Sequence, residues 1–339
     1  MYRSLAIASA LALAATGASA ADVVNLKLSH WIPTTHPLHG ALEDWAASLE
    51  QASDGTIETV IFPAGQLGKP NDHYDMARDG IVSFGWYNVG GEPGRFPVAV
   101  AVELPFTTAN SKGGTAAFDT WYREYAPKEM ADVHYCFGFV IEPGGIHSKG
   151  KLTKPSDLDG KKVRAVNGTS GSFVRSLGGA NVPARAPEMR DLIERGTIDI
   201  APLTPGSANL FGITKATDHY LDIPFYSSAY AWVMNKATYE GLNEKQKAAV
   251  DSHCTTDWAV KVATPWSDFE NAGLDELKAN PDYTVVELSE EEIEPWREAA
   301  EPLAQQWADT VRDKSKTGID PDEALKKYKA LLEQNGAAY

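Results

Sequence analysis

Residues 24–62 have the sequence VNLKLSHWIPTTHPLHGALEDWAASLEQASDGTIETVIF, and this stretch decides the fold. Apolar and polar residues alternate at its start, and this period of two predicts a β-strand. A helix is predicted to begin near Pro37, because apolar residues then recur every three or four positions along one face. Gly55 separates that helix from a second predicted strand at residues 56–62. The stretch therefore predicts a strand, a helix and a strand in succession.

The same succession continues and then recurs further along the chain. A short helix that Gly80 ends leads to a third predicted strand at residues 81–87. A second series has a strand at 162–166, a helix near 187–195 and a strand at 197–203. Alternating strands and helices build parallel sheets with helices on both faces. The sequence therefore predicts an α/β protein with two lobes, each carrying a small sheet.

Later segments are predicted to return to the first lobe and to join the two lobes. Residues 230–235 are predicted as a further strand, and a long helix from Asn243 toward Ala279 is predicted to bridge the lobes. A chain of 339 residues is about twice the usual size of one domain, which agrees with this division. The predicted lobes are lobe 1, residues 21–143 and 230–265, and lobe 2, residues 144–229 and 266–339 with the C-terminal helices.

Charge and the N-terminal sequence narrow the classes of function. The chain has 31 Lys and Arg residues against 46 Asp and Glu residues, a formal net charge of −15. This charge repels phosphate backbones and anionic membrane surfaces, so we expect no nucleic-acid partner. Residues 1–20 are predicted to be a secretory signal peptide, because an apolar run follows Arg3 and ends near Ala18-Ser19-Ala20. No later run reaches the length of a membrane span, so we expect no membrane insertion of the mature chain.

Cys136 and Cys254 are the two cysteines of the sequence. In an oxidising compartment they can pair, but their spacing does not decide whether they do. A free cysteine is also among the most frequently buried residue types. We predict two separately buried thiols.

Several local motifs occur in one order along the chain. They are HWIPTTHPLHG (30–40), FPAGQLGKPND (62–72), PGRFP and ELPF (93–97 and 103–106), KPSDLDGKKVR (154–164), LIERGTIDIAP (192–202) and VMNKATYEGLNEKQ (233–246). Together they make the chain resemble the extracytoplasmic solute-binding proteins of TRAP transporters, the tripartite ATP-independent periplasmic uptake systems. The resemblance covers nearly the whole chain after residue 20.

The resemblance implies a two-lobed periplasmic-binding-protein-like fold of the α/β class, with a ligand cleft between the lobes and a long bridging helix. It also implies a location in the periplasm, where the protein captures a small organic carboxylate by hinge closure. The implied partners are this ligand and the TRAP membrane permease subunits that receive it. A periplasmic ligand sensor that presents its solute to a receptor has the same fold and stays an alternative.

Arg164 ends the segment Gly160-Lys161-Lys162-Val163-Arg164, which is similar to the G-x-K-x-R type motif of the family. The resemblance implies that Arg164 binds the ligand, because the family's signature contact is the arginine of this motif. A planar guanidinium binds a carboxylate through two parallel hydrogen bonds, and inside a closed cleft water does not weaken them.

Two features depart from the sialate and C4-dicarboxylate binders of the family. Residues 141–146 lack the second arginine that many of those proteins carry about twenty residues before the first. Ile200 follows Asp199 where many carry an asparagine, and the nearest equivalent is Thr204-Pro205. We therefore expect a monocarboxylate, which is either an aromatic acid or a zwitterion.

Aromatic side chains near predicted strand ends are expected to complete the cleft, because open α/β sheets bind ligands at the carboxyl ends of their strands. Flat rings stack on an aromatic acid or surround a cationic group. Packing inside a lobe is the alternative role for Trp86 and Phe106. Besides Arg164, the predicted ligand-binding residues are Trp31, His30, His36, Trp86, Tyr87, Asn88, Phe106, Thr204, Asn209 and Tyr226.

His30, His36 and His39 form a cluster with metal-ligand chemistry. They do not share one helix face, so we predict no zinc and expect His30 and His36 to line an anion cleft at a helix start. A divalent metal that bridges a hydroxy acid to the protein, as in some relatives, stays an alternative. Residues 168–172 lack the spacing of a nucleophile elbow, and the sequence has no dinucleotide or P-loop motif. We predict no enzyme activity, no catalytic residue and no cofactor.

Overall fold

Two β-sheets form the framework of the protein. The structure is a computed structural model that describes residues 23–315 and 317–339, so the predicted signal peptide lies outside the described residues. The strands are β1 (Val24–Ser29), β2 (Ile57–Phe62), β3 (Phe84–Asn88), β4 (Val133–Val140), β5 (Gly144–Ser148), β6 (Lys162–Val163), β7 (Ala180–Asn181), β8 (Ile200–Leu203), β9 (His219–Tyr226), β10 (Ala229–Asn235) and β11 (Thr284–Glu287). The first sheet has the order β2-β1-β3-β10-β4, and the second has the order β11-β9-β5-β8-β6-β7.

Helices connect the strands of both sheets. The α-helices are α1 (Pro37–Ala52), α2 (His73–Arg78), α3 (Ser111–Tyr122), α4 (Ala126–Glu129), α5 (Gly168–Ser176), α6 (Met189–Glu194), α7 (Pro205–Leu210), α8 (Lys236–Gly241), α9 (Glu244–His253), α10 (Thr256–Ala279), α11 (Glu290–Lys314) and α12 (Pro321–Gln334). A short 3-10 helix, Ala99–Glu103, lies between β3 and α3.

The opening strand and helix form as the sequence predicts. β1 buries alternate leucines and pairs in parallel with β2 and β3. α1 begins at Pro37, and the His36 side chain accepts a hydrogen bond from the Leu38 N–H. The buried face of α1 includes Trp45, whose ring lies 5.1 Å from Phe84 of the sheet. The predicted strand-helix-strand start of the fold is confirmed.

Each sheet is mixed rather than parallel, which corrects the prediction of parallel sheets. β10 runs antiparallel to both β3 and β4 in the first sheet. β5 runs antiparallel to both β8 and β9 in the second sheet. Consecutive parallel strands need a long crossover connection, usually a helix. β5 and β10 instead follow directly from a strand of the other sheet, so they are free to run antiparallel to their new neighbours.

Two short connections carry the chain between the sheets. Residues 141–143 join β4 to β5, and residues 227–228 join β9 to β10. We name these two connections the crossing segments. They run side by side, since the Ile141 N–H donates a hydrogen bond to the Ser228 carbonyl at 3.1 Å. Such a narrow pair of extended segments is the natural hinge between two lobes.

The predicted long helix after Asn243 is divided into α9 and α10. The break falls at Cys254 and Thr255, where the Thr255 side chain accepts from the Trp258 N–H at 3.3 Å and starts α10. Cys254 forms a disulfide with Cys136 of β4, so the prediction of separate thiols is wrong. The fold places the end of α9 against β4, which spacing alone does not reveal. α10 packs against α1 and α3 and also against α7, and it thereby joins the two lobes.

The C-terminal helices lie across both parts of the fold. α11 packs against α5 and against the 3-10 helix Ala99–Glu103. α12 packs against α3, where the Trp121 indole donates to the Ala324 carbonyl at 2.9 Å. α12 therefore lies beside α3, which itself packs on β4 of the first sheet, although the predicted division groups α12 with lobe 2.

Candidate ligand-binding cleft

A cleft of about 1470 Å³ lies between the two sheets. Its walls are formed mainly by loops that follow strands, as expected for the carboxyl edges of open α/β sheets. The wall segments are residues 31–36 after β1, 64–72 after β2, 88–94 at the end of β3, 164–172 after β6 and 203–207 at the end of β8. The cleft is thus bounded by both lobes, and its floor is near the crossing segments.

Arg164 brings a buried positive charge to this cleft. It is 9% exposed and follows β6, where its N–H donates to the Ile200 carbonyl at 3.1 Å. Its Nε donates to the Ala184 carbonyl at 2.8 Å, whereas its Nη1 has no hydrogen-bond partner. Within residues 23–315 and 317–339, no acidic side chain forms an ion pair with Arg164. Burial lowers the pKa of Arg164, and the nearby Tyr226 and Tyr230 oppose that shift.

Aromatic rings form the wall on the side of the first sheet. Trp31, Tyr230 and Trp266 line the cleft. Trp86 lies behind them, stacked on Tyr230 at 4.4 Å and tilted against Trp31 at 5.3 Å. The centroid of the Trp266 ring lies 5.5 Å from that of Tyr230 and 4.6 Å from that of His36, which it meets edge to face. Close packing of rings with fixed neighbours makes this wall rigid.

His36 offers a hydrogen-bond donor at the end of this wall. Burial lowers its pKa to about 4, so the ring is neutral at pH 7. Its Nδ1 accepts from the Leu38 N–H at 3.2 Å, which puts the ring proton on Nε2. Nε2 has no hydrogen-bond partner in the described chain.

The structure brings about half of the predicted site residues to the cleft. The predicted residues that line it are Trp31, His36, Asn88, Arg164, Thr204 and Tyr226. Trp86 supports the wall from behind without lining it. The cleft position of the six agrees with a role in ligand binding, which remains a prediction.

The other predicted residues lie away from the cleft. Tyr87 points to the opposite face of β3 from Trp86 and packs 5.5 Å from Tyr74. His30 is fully buried, and its Nε2 lies 3.0 Å from Nδ1 of His39. Phe106 packs 5.8 Å from the ring of Tyr339, and Asn209 donates to Glu276 at 2.9 Å. These four side chains are directed toward other partners, so we no longer expect them to contact a ligand. In the described ranges, no three His, Cys, Asp or Glu side chains are arranged to hold a metal ion.

Two polar residues of the cleft wall were missed by the sequence interpretation. Glu103 is 1% exposed, and its Oε2 accepts from the Thr169 hydroxyl at 3.2 Å. Burial raises the pKa of Glu103 to about 8. Asn167 caps α5 and donates from Nδ2 to the Ser227 carbonyl at 2.8 Å. Two sequence features point to these residues. Glu103 begins the ELPF motif, and Asn167 lies three residues after Arg164.

Comparison with known proteins decides the family. The model of the bacterial extracellular solute-binding protein, family 7 (DctP), matches residues 28–310. The chain belongs to this family. The predicted resemblance to TRAP extracytoplasmic solute-binding proteins is therefore confirmed.

Three relatives illustrate the similarity. A TRAP solute-binding protein from a marine metagenome, specific for aromatic acid ligands and crystallised with metahydroxyphenylacetate, is 27% identical, with a TM-score of 0.84 over 92% of this chain and 99% of that chain. A TRAP periplasmic solute-binding protein from Bordetella bronchiseptica with bound (R)- and (S)-mandelate is 25% identical, with a TM-score of 0.84 over 92% and 99%. The protein TsaT of Comamonas testosteroni, named an outer membrane transporter protein, is 25% identical over 97% of both chains.

Membership of family 7 fixes the class of the protein. It is an extracytoplasmic solute-binding protein with the two-lobed α/β fold, and it is a component of a transport system. TRAP proteins of this kind bind small organic acids and work with membrane permeases, and the relatives are binding proteins rather than enzymes. Among the residues that the structure describes, none of the helices combines the length and apolar character needed to cross a bilayer.

Proposed function

We propose that this family 7 protein captures an aromatic monocarboxylate in the cleft and delivers it to the membrane permease of a TRAP transporter. One observation carries the proposal. Arg164 is a buried guanidinium without an acidic partner in the described chain, and it adjoins the aromatic wall. Burying an unpaired charge raises the free energy of the folded state, so an anion from outside completes the site.

A carboxylate suits the donors that Arg164 has left. Nε is already bonded to the Ala184 carbonyl, so the two Nη groups remain for a pair of parallel hydrogen bonds. The Nε2–H of His36 provides a further donor in the same cleft. Arg164 is the one arginine of the described chain that is at least nine-tenths buried, which favours a ligand with a single carboxylate.

The rest of the ligand meets aromatic surface. Trp31, Tyr230 and Trp266 present flat apolar area on which an aromatic ring stacks favourably. The solved relatives from the marine metagenome and from Bordetella bronchiseptica bind aromatic acids, which supports the same ligand class for this chain.

The size of the cleft supports capture by closure of the lobes. A cleft of about 1470 Å³ is larger than the usual range of about 300–1,000 Å³ for small-molecule sites. An acid of roughly ten heavy atoms therefore contacts both walls only when the lobes approach one another around the crossing segments. With typical ligand efficiencies, binding of about −8 to −10 kcal/mol is expected, a submicromolar to micromolar dissociation constant.

A thermal-shift screen tests the ligand class. The panel contains benzoate, phenylacetate and mandelate, with C4-dicarboxylates, sialic acid and ectoine as the competing classes. A ligand at 100 times its dissociation constant adds about 2.7 kcal/mol to the stability of the folded state. We expect shifts for the aromatic monocarboxylates that Arg164→Met abolishes. A response limited to dicarboxylates, sialic acid or ectoine would contradict the proposed ligand class.

Delivery to a permease is tested separately from binding. Proteoliposomes that contain the cognate TRAP permease subunits are expected to accumulate the labelled ligand only when the protein is added. Binding without stimulated uptake would favour the alternative, a periplasmic sensor that presents the ligand to a receptor.

A further inference from the structure

Glu103 places a carboxyl group in the wall of the cleft with one oxygen unpaired. The residue is 1% exposed and ends the 3-10 helix Ala99–Glu103. Its Oε2 accepts a hydrogen bond from the Thr169 hydroxyl at 3.2 Å, but its Oε1 has no partner among the described residues. Native proteins rarely leave a buried polar atom unpaired, because such an atom has given up its bonds to water. The unpaired Oε1 is therefore a candidate for a hydrogen bond to a bound ligand.

The backbone opposite Glu103 leaves room for this carboxyl group. A Cβ atom added at Gly90 would lie 1.7 Å from Oε1, so only glycine is compatible with the observed position. Gly90 itself is held in place, since its N–H donates to the Asn88 side chain at 3.0 Å. Asn88, Gly90 and Glu103 all line the cleft.

Glu103 and Arg164 act on one common neighbour. Tyr230 lines the cleft, and both charges influence the pKa of its hydroxyl: Arg164 lowers it, whereas Glu103 raises it. Thr169, the hydrogen-bond partner of Glu103, lies five residues after Arg164 in the wall segment 164–172. Glu103, Arg164 and Tyr230 thus line the same cleft, so a ligand held by Arg164 can extend toward Glu103.

Glu270, a second buried glutamate beside the cleft, has a structural role and serves as a comparison for Glu103. Glu270 of α10 accepts from the Ser207 N–H at 3.0 Å, from the Ser207 hydroxyl and from the Trp266 indole at 2.7 Å. Its bonds hold α10 to α7 and leave neither oxygen without a partner. Glu103 lacks such a set of partners, which separates it from a purely structural carboxyl group.

We infer that Glu103 is a specificity residue that hydrogen-bonds a hydroxyl group on the ligand, so that the preferred ligand is a hydroxylated aromatic monocarboxylate. This inference rests on the proposed function, because it presumes that Arg164 holds the ligand's carboxylate. Burial favours the protonated form of Glu103, which offers an O–H donor and a carbonyl acceptor. A hydroxyl group matches both. An uncharged Glu103 also neither repels the ligand's carboxylate nor neutralises Arg164.

Calorimetry with matched ligands tests the inference. The ligands are phenylacetate and its 2-, 3- and 4-hydroxy derivatives, titrated into the full chain at pH 7. We expect at least one hydroxy derivative to bind about tenfold or more tightly than phenylacetate, since a buried hydrogen-bond partner discriminates strongly against an analogue that lacks the group. Glu103→Met is expected to reduce this ratio to below about threefold, while Glu103→Gln, which keeps a donor and an acceptor, retains most of it.

Glu129→Gln is the control for the loss of a buried carboxylic acid. Glu129 accepts from the Val98 N–H at 2.8 Å and from the Ala99 N–H at 3.1 Å and is not among the residues that line the cleft, so the ratio of affinities is expected to stay within about threefold of wild type. A Glu129→Gln variant that loses the preference as fully as Glu103→Met would overturn the inference. An unchanged preference in Glu103→Met would overturn it too.

Failure of the inference is distinguishable from failure of the proposed function. If phenylacetate and all its hydroxy derivatives bind with equal affinity, the proposed function stands and the role of Glu103 is rejected. If no aromatic monocarboxylate binds, the proposed function fails and the inference fails with it. If Glu103→Met does not fold, a crystal structure of the wild-type protein with a bound hydroxylated aromatic acid tests the role of Glu103 instead. The ligand hydroxyl is expected within about 3.2 Å of the Glu103 carboxyl group, and any other position rejects the inference.

Discussion

Asn167 donates a hydrogen bond from Nδ2 to the carbonyl of Ser227 at 2.8 Å, so the wall segment that follows β6 is tied directly to a crossing segment. The same nitrogen lies 3.2 Å from the hydroxyl of Ser228, and the side-chain oxygen accepts from the Ser170 N–H at 2.8 Å. Asn167 therefore contacts the hinge and the start of α5, three residues after Arg164. Its position suits a residue that transmits ligand contact to the hinge.

Replacing Asn167 is expected to impair closure. Asn167→Ala removes a helix cap and the anchor to Ser227, so we expect stability to fall by about 1 kcal/mol and ligand affinity to fall about tenfold. Small-angle X-ray scattering with saturating ligand is expected to show less contraction than in wild type.

Asn110→Ala provides a matched control for this prediction. Asn110 caps α3 by accepting from the Gly113 N–H at 2.9 Å, and it also donates to the Gly336 carbonyl at 2.9 Å, away from the cleft. Its loss should cost similar stability with affinity within about twofold of wild type. Equal effects of the two variants on affinity would show that Asn167 has no special link to closure.

Arg164→Met is expected to leave the ligand-free protein as stable as wild type, or more stable by up to about 2 kcal/mol. The reason is that a buried charge without a partner is replaced by an apolar chain of similar length. Urea unfolding of the ligand-free proteins measures this difference. Arg123→Met is the control, because Arg123 pairs with the buried Asp119 at 2.7 Å and its loss is expected to cost more than about 1 kcal/mol. A clear loss of stability in Arg164→Met would indicate a structural role for Arg164.

The disulfide between Cys136 and Cys254 is expected to contribute strongly to stability. It joins residues 118 positions apart, and closing a loop of this size in the unfolded chain is worth about 4–5 kcal/mol. The double variant Cys136→Ala, Cys254→Ala should unfold at a correspondingly lower urea concentration. Reductant should lower the stability of wild type but not that of the double variant. Equal stability of the oxidised wild type and the double variant would contradict the prediction.

Glu103 is expected to make stability depend on pH. Burial raises its folded pKa from 4.5 to about 8, so the folded chain keeps a proton that the unfolded chain loses. Its contribution to stability is complete below about pH 4.5 and is lost as the pH rises toward 8, with a slope of at most about 1.4 kcal/mol per pH unit. The groups that interact with it are the Thr169 hydroxyl of α5 and Tyr230 of β10. The cleft is also lined by charged residues, the cations Lys69, Arg164, Arg175, Arg185 and Lys314 and the acids Asp72 and Glu188.

Comparison with Glu103→Gln isolates this effect, because glutamine does not titrate and the buried histidines are common to both proteins. Urea unfolding from pH 5 to 8 should show wild type losing stability relative to the variant. Parallel curves over this range would mean that Glu103 has an ordinary pKa.

The elements with a clear amphipathic pattern were predictable from the sequence. β1 and α1 each bury one face, and their periods of two and 3.6 are visible in residues 24–52. β3 is different, because four of its five residues are buried and both of its faces pack on other elements. The pattern therefore did not reveal that Trp86 supports the cleft wall whereas Tyr87 faces away from it.

Long-range features were not predictable from spacing. The pairing of Cys136 with Cys254 depends on where the end of α9 meets β4, and no local pattern encodes that contact. Glu103 precedes a Leu-Pro-Phe turn and has the sequence character of a surface acid. Its burial results from the approach of Gly90 and Thr169, which lie 13 and 66 residues away in the chain. Arg164 was predictable only because its motif resembled that of a known family.

Calorimetry on Arg164 variants tests the central claim that this side chain binds the ligand's carboxylate. Wild type, Arg164→Ala and Arg164→Lys are titrated with the aromatic monocarboxylate that gives the largest thermal shift. We predict that Arg164→Ala weakens binding by about 2–5 kcal/mol, a thirtyfold to several-thousandfold increase in dissociation constant. Arg164→Lys should restore little of it, because lysine cannot form two parallel hydrogen bonds. Unchanged affinity in Arg164→Ala would contradict the claim.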